Sequence, residues 1–225
     1  MQGNIYVTGG GTNVDLSLVN KRFLADIPMG GRLLYIPFAM KNEARLATCV
    51  ETFHKMLLSQ NRSDIVFDAG MDLSFFHELT AFHAVYIDDG DADILMNEFD
   101  RTGFEFVLEN YSRHGGIIYA NDSAAITMGK FIDTCREVNQ EFKTGCGLLG
   151  KFSIYPQYRN ENKEGWVPKH DSKLLCLPEG VGVIIKDGRI DWYNSHRFKI
   201  YENWFRTSVT YCRSFLIYNM GRNWR

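Results

Sequence analysis

Gly116-Ile117-Ile118-Tyr119-Ala120-Asn121-Asp122-Ser123-Ala124-Ala125-Ile126-Thr127-Met128-Gly129 runs from an apolar strand into a string of small residues, with a serine at the joint. Ile117 to Ala120 has the β-branched and aromatic character of a strand buried on both faces. The apolar run stops at Asn121-Asp122, and the alanines after Ser123 leave room for a sharp turn into a helix. Such a turn lifts a serine hydroxyl out of a sheet and aims the next N–H, here that of Ala124, at the place where an oxyanion forms. The same pattern suits a serine that caps a helix, and the stretch alone leaves both readings open.

Outward from this stretch, similar short runs recur at Ile5 to Val7, Leu33 to Pro37, Ile65 to Phe67 and Ala84 to Ile87. Between them, Leu16 to Ala25, Glu43 to Leu58 and Ile94 to Tyr111 return apolar residues every three or four positions, the period of a helix. Strands and helices in alternation predict right-handed βαβ units around a mainly parallel sheet, hence a three-layer α/β sandwich. Past residue 150 the rhythm changes to Phe152 to Tyr155, Leu174 to Cys176, Val181 to Ile185 and Arg189 to Tyr193, extra strands in the C-terminal third. Asp187-Gly188 between the last two is a hairpin signal. The polar segment 157–172, with Gly165 and Pro168, reads as a surface loop. No repeat or Pro/Ser-rich linker divides the chain, so a single domain is expected over residues 1–225.

Composition excludes several classes of function. The 225 residues are 45% hydrophobic, enough to fill one large core, and 25 basic against 27 acidic side chains leave a net charge of −2. No overall field draws the chain to nucleic acid or to an anionic membrane, and no apolar run is long enough to span a bilayer. Cys49, Cys135, Cys146, Cys176 and Cys212 are scattered without a C-x-x-C pair, as expected of thiols in a reducing cytoplasm. His54, His77, His83, His114 and His196 lack metal-ligand spacing. The tail from Trp204 to Arg225 mixes aromatic residues with Arg206, Arg213, Arg222 and Arg225 and reads as a self-association surface, so a homodimer is expected.

In an open parallel sheet, ligands gather at the carboxyl ends of the strands. Two turns besides that at Ser123 fall there. Thr8-Gly9-Gly10-Gly11-Thr12 fits neither the dinucleotide fingerprint nor a P-loop and reads as a plain tight turn between strand and helix. Asp88-Asp89-Gly90-Asp91-Ala92-Asp93 invites a cation through Asp88, Asp89 and Asp91, but it departs from the calcium-loop template at Ile94 and Asp100. Acidic residues capping a helix are the favoured account of it, and no metal or other cofactor is expected.

Tyr35-Ile-Pro-Phe-Ala39, the strand-turn at 85–93, the serine turn, Gly147-Leu-Leu-Gly-Lys-Phe-Ser-Ile-Tyr-Pro-Gln-Tyr158 and Leu177-Pro-Glu-Gly180 occur in a fixed order. In this order the chain resembles dipeptidase E, the aspartyl dipeptidases related to cyanophycinase, over about residues 1 to 200. Residues 203–225 are then a C-terminal extension. The resemblance implies a flavodoxin-like, class I glutamine amidotransferase-like fold. It also implies a serine peptidase that cleaves after an N-terminal aspartate through an acyl-enzyme, so a small peptide or other small molecule is the implied ligand.

In that family the serine lies in G-x-S-A-G-A, a histidine follows in P-H-F/Y, and a G-G-G-N-T loop supplies an oxyanion donor. Here Ser123 takes the nucleophile position, Ala124 and Gly90 the oxyanion positions, and Asp133 or Glu137 the acidic position. Asn121 and Ala125 replace the flanking glycines, Asp88 and Asp89 stand in the glycine loop, and Gln157 replaces the histidine. Glutamine has no titratable nitrogen with which to take the serine proton, and His170 in the following loop is the candidate substitute base. Two expectations follow: a dipeptidase E-like serine hydrolase with an altered base, or a pseudopeptidase that binds a small ligand, a cation or a protein partner.

Overall fold

A computed structural model describes residues 2–37, 43–132, 143–159, 173–192 and 199–202. The first five strands are β1 (Ile5–Thr8), β2 (Arg32–Ile36), β3 (Val66–Ala69), β4 (Ala84–Ile87) and β5 (Ile117–Ala120). They are followed by β6 (Phe152–Tyr155), β7 (Lys173–Cys176), β8 (Gly182–Lys186), β9 (Arg189–Trp192) and β10 (Lys199–Glu202). Seven of them form one sheet in the order β3-β2-β4-β5-β1-β8-β9, parallel from β3 to β1 and antiparallel from β1 to β9. A smaller sheet, β10-β7-β6, stands apart. The helices are α1 (Ser17–Ala25), α2 (Glu43–Ser59), α3 (Ala92–Thr102), α4 (Phe104–Arg113) and α5 (Ser123–Met128). The fold is the expected three-layer α/β sandwich.

Both faces of the central strands are buried, which is why they read as unbroken apolar runs. Ile5, Val7, Leu34, Ile36, Val85, Ile87, Ile118 and Ala120 face a core shared with Leu95 and Phe99 of α3, Phe104 and Leu108 of α4, and Ala124, Ala125 and Met128 of α5. The alternate residues Tyr6, Tyr35, Tyr86 and Tyr119 face the other layer, with Phe23 of α1 and Phe53 of α2. The register places Tyr6 beside Tyr119, Tyr119 beside Tyr86 and Tyr86 beside Tyr35. Their rings therefore form a ladder across four strands, with centroids 6.1, 4.5 and 5.8 Å apart. Pairs of this kind add about 1 kcal/mol each beyond the area they bury.

Three elements depart from expectation. The period from Ile94 to Tyr111 is carried by two helices, broken where Gly103 adopts a left-handed φ of 69°. The buried positions step five residues from Phe99 to Phe104, one more than a continuous helix allows. The strand expected at Ile65 to Phe67 begins at Val66 and lies at the edge of the sheet, so Val66 is exposed rather than buried. The glycines after β1 do not make a tight turn, because residues 9–16 separate the strand from α1. The hairpin between β8 and β9 is as expected: Asp187 and Gly188 both take positive φ, 48° and 72°, as a two-residue turn requires.

Cys135, the acidic candidates Asp133 and Glu137, His170, His196, Cys212 and the tail from 203 onward lie outside the described residues, as does most of segment 157–172. Among the described residues no helix is long and apolar enough to cross a membrane, and Cys49, Cys146 and Cys176 are not joined in disulfides.

Candidate active site

The site follows from strand register. Ala120 of β5 pairs with Val7 of β1 on one side and with Ile87 of β4 on the other, so three parallel strands end abreast. The residues that emerge there, Thr8, Asp88 and Asn121, meet at once. Thr8 Oγ1 donates to Asn121 Oδ1 at 2.7 Å, and Asn121 Nδ2 donates to Asp88 Oδ1 at 3.2 Å. The Tyr35 hydroxyl, at the end of the tyrosine ladder, donates to Asp88 Oδ2 at 2.5 Å. Burial is the main influence on Asp88 and raises its pKa, while the bonds from Tyr35, the Asp89 N–H and Asn121 work against that rise. Burial and the adjacent Asp88 likewise raise the Tyr35 hydroxyl.

Beyond Asn121 the chain makes the sharp turn, and its strained residue is Asp122, not Ser123. Asp122 holds φ 49° and ψ −112°, outside the left-handed helical basin, and α5 starts at the next residue. A conformation this sparsely populated costs about 1–3 kcal/mol and persists where surrounding structure enforces it. The expected placement of Ser123 at the apex is therefore corrected by one residue: the chain must reverse before the first helical hydrogen bonds, Ala124 N–H to the Asn121 carbonyl and Ala125 N–H to that of Asp122. The Ala124 N–H is spent on the first of these bonds and cannot serve as the oxyanion donor. Ser123 is half-buried, and among the described residues its Oγ has no hydrogen-bond partner.

The Asp122 side chain is buried at 5% exposure and turns toward the glycine loop and Gln157. Gln157 Nε2 donates to Asp122 Oδ2. Gln157 itself holds a positive φ of 50°, so two of the four non-glycine residues with positive φ among those described are joined by one hydrogen bond. The glycine loop makes this approach possible. A Cβ on Gly10, which has φ 79°, would fall 2.4 Å from Asp122 Oδ2. The loop is clamped from three sides: Gly9 N–H donates to Val181 O, Gly180 N–H to Gly10 O and Gln157 N–H to Gly9 O.

Burial raises the Asp122 carboxyl to about 6, with Asp89 and Glu179 adding in the same direction, while the Gln157 amide works the other way. Asp89 Oδ1 accepts from the Gly90 N–H at 2.6 Å and from the Ser123 N–H at 3.3 Å. The predicted oxyanion donor Gly90 is thus present, but its N–H is bound to a carboxylate of its own loop. Asp91 accepts from Ile94 N–H at 3.0 Å and caps α3, the helix-capping alternative for this loop. No three His, Cys, Asp or Glu side chains among the described residues converge as metal ligands, so the cation alternative through Asp88, Asp89 and Asp91 is not supported.

The structure brings Gln157, Gly90 and the serine turn together. It adds Asp122 and Gly10, which sequence reasoning passed over. Their signal was present in the residue types, since aspartate tolerates unusual backbone angles better than most side chains and a run of three glycines permits close approach to a neighbour.

No protein-family model matches the chain, nor does any curated protein. Among solved structures, the chain is similar to a peptidase from an acI-B1 actinobacterium, with a TM-score of 0.74 and 14% identity over 96% of both chains. It is also similar to a candidate peptidase E from Listeria monocytogenes EGD-e, with a TM-score of 0.66 and 17% identity over 86% of this chain and 99% of that one. The likeness is one of fold: this is a peptidase E-like, flavodoxin-like α/β architecture.

Proposed function

We propose that this chain is a peptidase E-like protein that binds a small peptide or a similar small ligand without cleaving it. The observation that carries this reading is the pair at the strained turn, Asp122 bonded to Gln157. Acyl transfer needs a nucleophile whose proton a neighbouring base removes, and the glutamine amide cannot take one. A carboxylate attacking a peptide carbonyl would form an anhydride, which is more reactive than the amide it replaces, so that step runs uphill. What the fold retains is a set of mutually hydrogen-bonded polar groups at the ends of three strands.

A second reading is a serine peptidase acting through Ser123, favoured by the peptidase neighbours in fold and by the unengaged Ser123 hydroxyl beside the turn. One experiment separates the two. Wild type, Ser123→Ala and Asp122→Asn are assayed against an aspartyl dipeptide, and the same dipeptide is titrated calorimetrically. Binding heat with no turnover in any of the three supports the ligand-binding reading. Turnover in wild type that Ser123→Ala abolishes replaces it with the second.

A further inference from the structure

The β4–α3 loop and the β5–α5 turn are tied together by one atom. Asp89 Oδ1 accepts from the N–H of Gly90 in its own loop and from the N–H of Ser123, the residue after the strained apex. Two backbone donors from different elements converging on one oxygen is the geometry by which hydrolases hold a developing oxyanion. Here a carboxylate oxygen of the chain already holds both.

We propose that Asp89 is an intramolecular plug, occupying with its own carboxylate the position that a ligand's carbonyl or carboxylate oxygen would otherwise take. The inference rests on the same turn as the function proposed above but does not depend on whether the site hydrolyses anything. The plug is local. Asp89 reaches Gly90 as its immediate neighbour, so freeing the two donors requires a change in this side chain and not a rearrangement of the sheet. The negative charges of Asp89 and Glu179 also lie close enough to raise the Asp122 carboxyl, so an incoming anion meets repulsion as well as an occupied position.

The test is the amide NMR signals of Gly90 and Ser123 during titration with sodium formate, in wild type, Asp89→Gly and Asp89→Asn. It is run at pH 5, where Asp122 with a pKa of about 6 is mostly neutral and formate is charged. In Asp89→Gly both amides are free, and formate should shift them saturably with at least about tenfold higher affinity than in wild type, as one charge-assisted hydrogen bond corresponds to about that factor or more. Asp89→Asn keeps a carbonyl oxygen at the same reach but loses the charge, and its affinity for formate should fall between those of wild type and Asp89→Gly. Saturable shifts of equal affinity in wild type and Asp89→Gly would overturn the proposal. So would a folded Asp89→Gly protein, judged by dispersed amide spectra, whose Gly90 and Ser123 signals ignore formate. Dipeptide turnover is not part of the readout, so failure here leaves the ligand-binding reading standing, and failure of that reading leaves the plug standing.

Discussion

Asp122 and Gln157 share a hydrogen bond while both hold positive φ, 49° and 50°. Neither turn offers its backbone a comfortable conformation, so the bond and the surrounding loops hold both residues in place. The Gln157 amide keeps the Asp122 carboxyl from rising further than about 6. Gln157→Met, which keeps the length and removes the donor, should move the Asp122 titration midpoint upward in a carboxyl carbon NMR titration. An unchanged midpoint would mean that the amide does not reach the carboxylate in solution.

The raised Asp122 also links stability to pH. Its carboxyl is near 6 in the fold against an ordinary value of 3.8, so the folded state holds the proton more tightly than the unfolded chain. Its contribution is fully present below about pH 4 and is lost as pH rises through about 6. The displacement corresponds to on the order of 3 kcal/mol at full effect. Asp122→Asn should match wild type near pH 4 and exceed it at pH 7.5 by about 1–3 kcal/mol in urea unfolding.

Gly10 is fixed by the same carboxylate. Alanine there would meet Asp122 Oδ2 at 2.4 Å and would have to hold φ 79°. Gly10→Ala should cost more than about 2 kcal/mol and displace the Asp122 titration. Gly103→Ala is the control: φ is 69° but no atom lies within 4 Å of the added Cβ, so the backbone term of about 1 kcal/mol should be the whole effect.

Restoring the expected chemistry needs more than one residue. Asp122→Ser with Gln157→His places a hydroxyl at the strained apex and a titratable nitrogen in reach, and Asp89→Gly frees the two N–H donors. The triple variant should hydrolyse an aspartyl dipeptide about a hundredfold or more above wild type, the contribution typical of a positioned general base. Gln157→His in the otherwise native chain should gain nothing, because Asp122 remains at the apex.

Most of the fold was legible because strands buried on both faces leave unbroken apolar runs, as at Ala84 to Ile87 and Ile117 to Ala120. The break at Gly103 was hidden by apolar residues that continue on one face of both helices, and the tyrosine ladder by a register that no single strand carries. The position of the sharp turn was legible to within one residue. A serine followed by alanines drew attention to Ser123, whereas the turn is fixed by where β5 stops pairing, and Asn121 N–H still bonds to Ile87 O before the chain reverses at Asp122. The role of Asp89 depends on two loops meeting in space, which spacing along the chain does not show.

The place of β1 has a consequence for biosynthesis. The strand nearest the N-terminus lies in the interior of the sheet, between β5 near residue 118 and β8 near residue 184. As the chain leaves the ribosome, β1 has one flank unfilled until β5 has been made and the other until β8 has. A nascent chain of this topology carries an unpaired central strand for much of its synthesis, so translational pausing before β8 should expose it to chaperone capture.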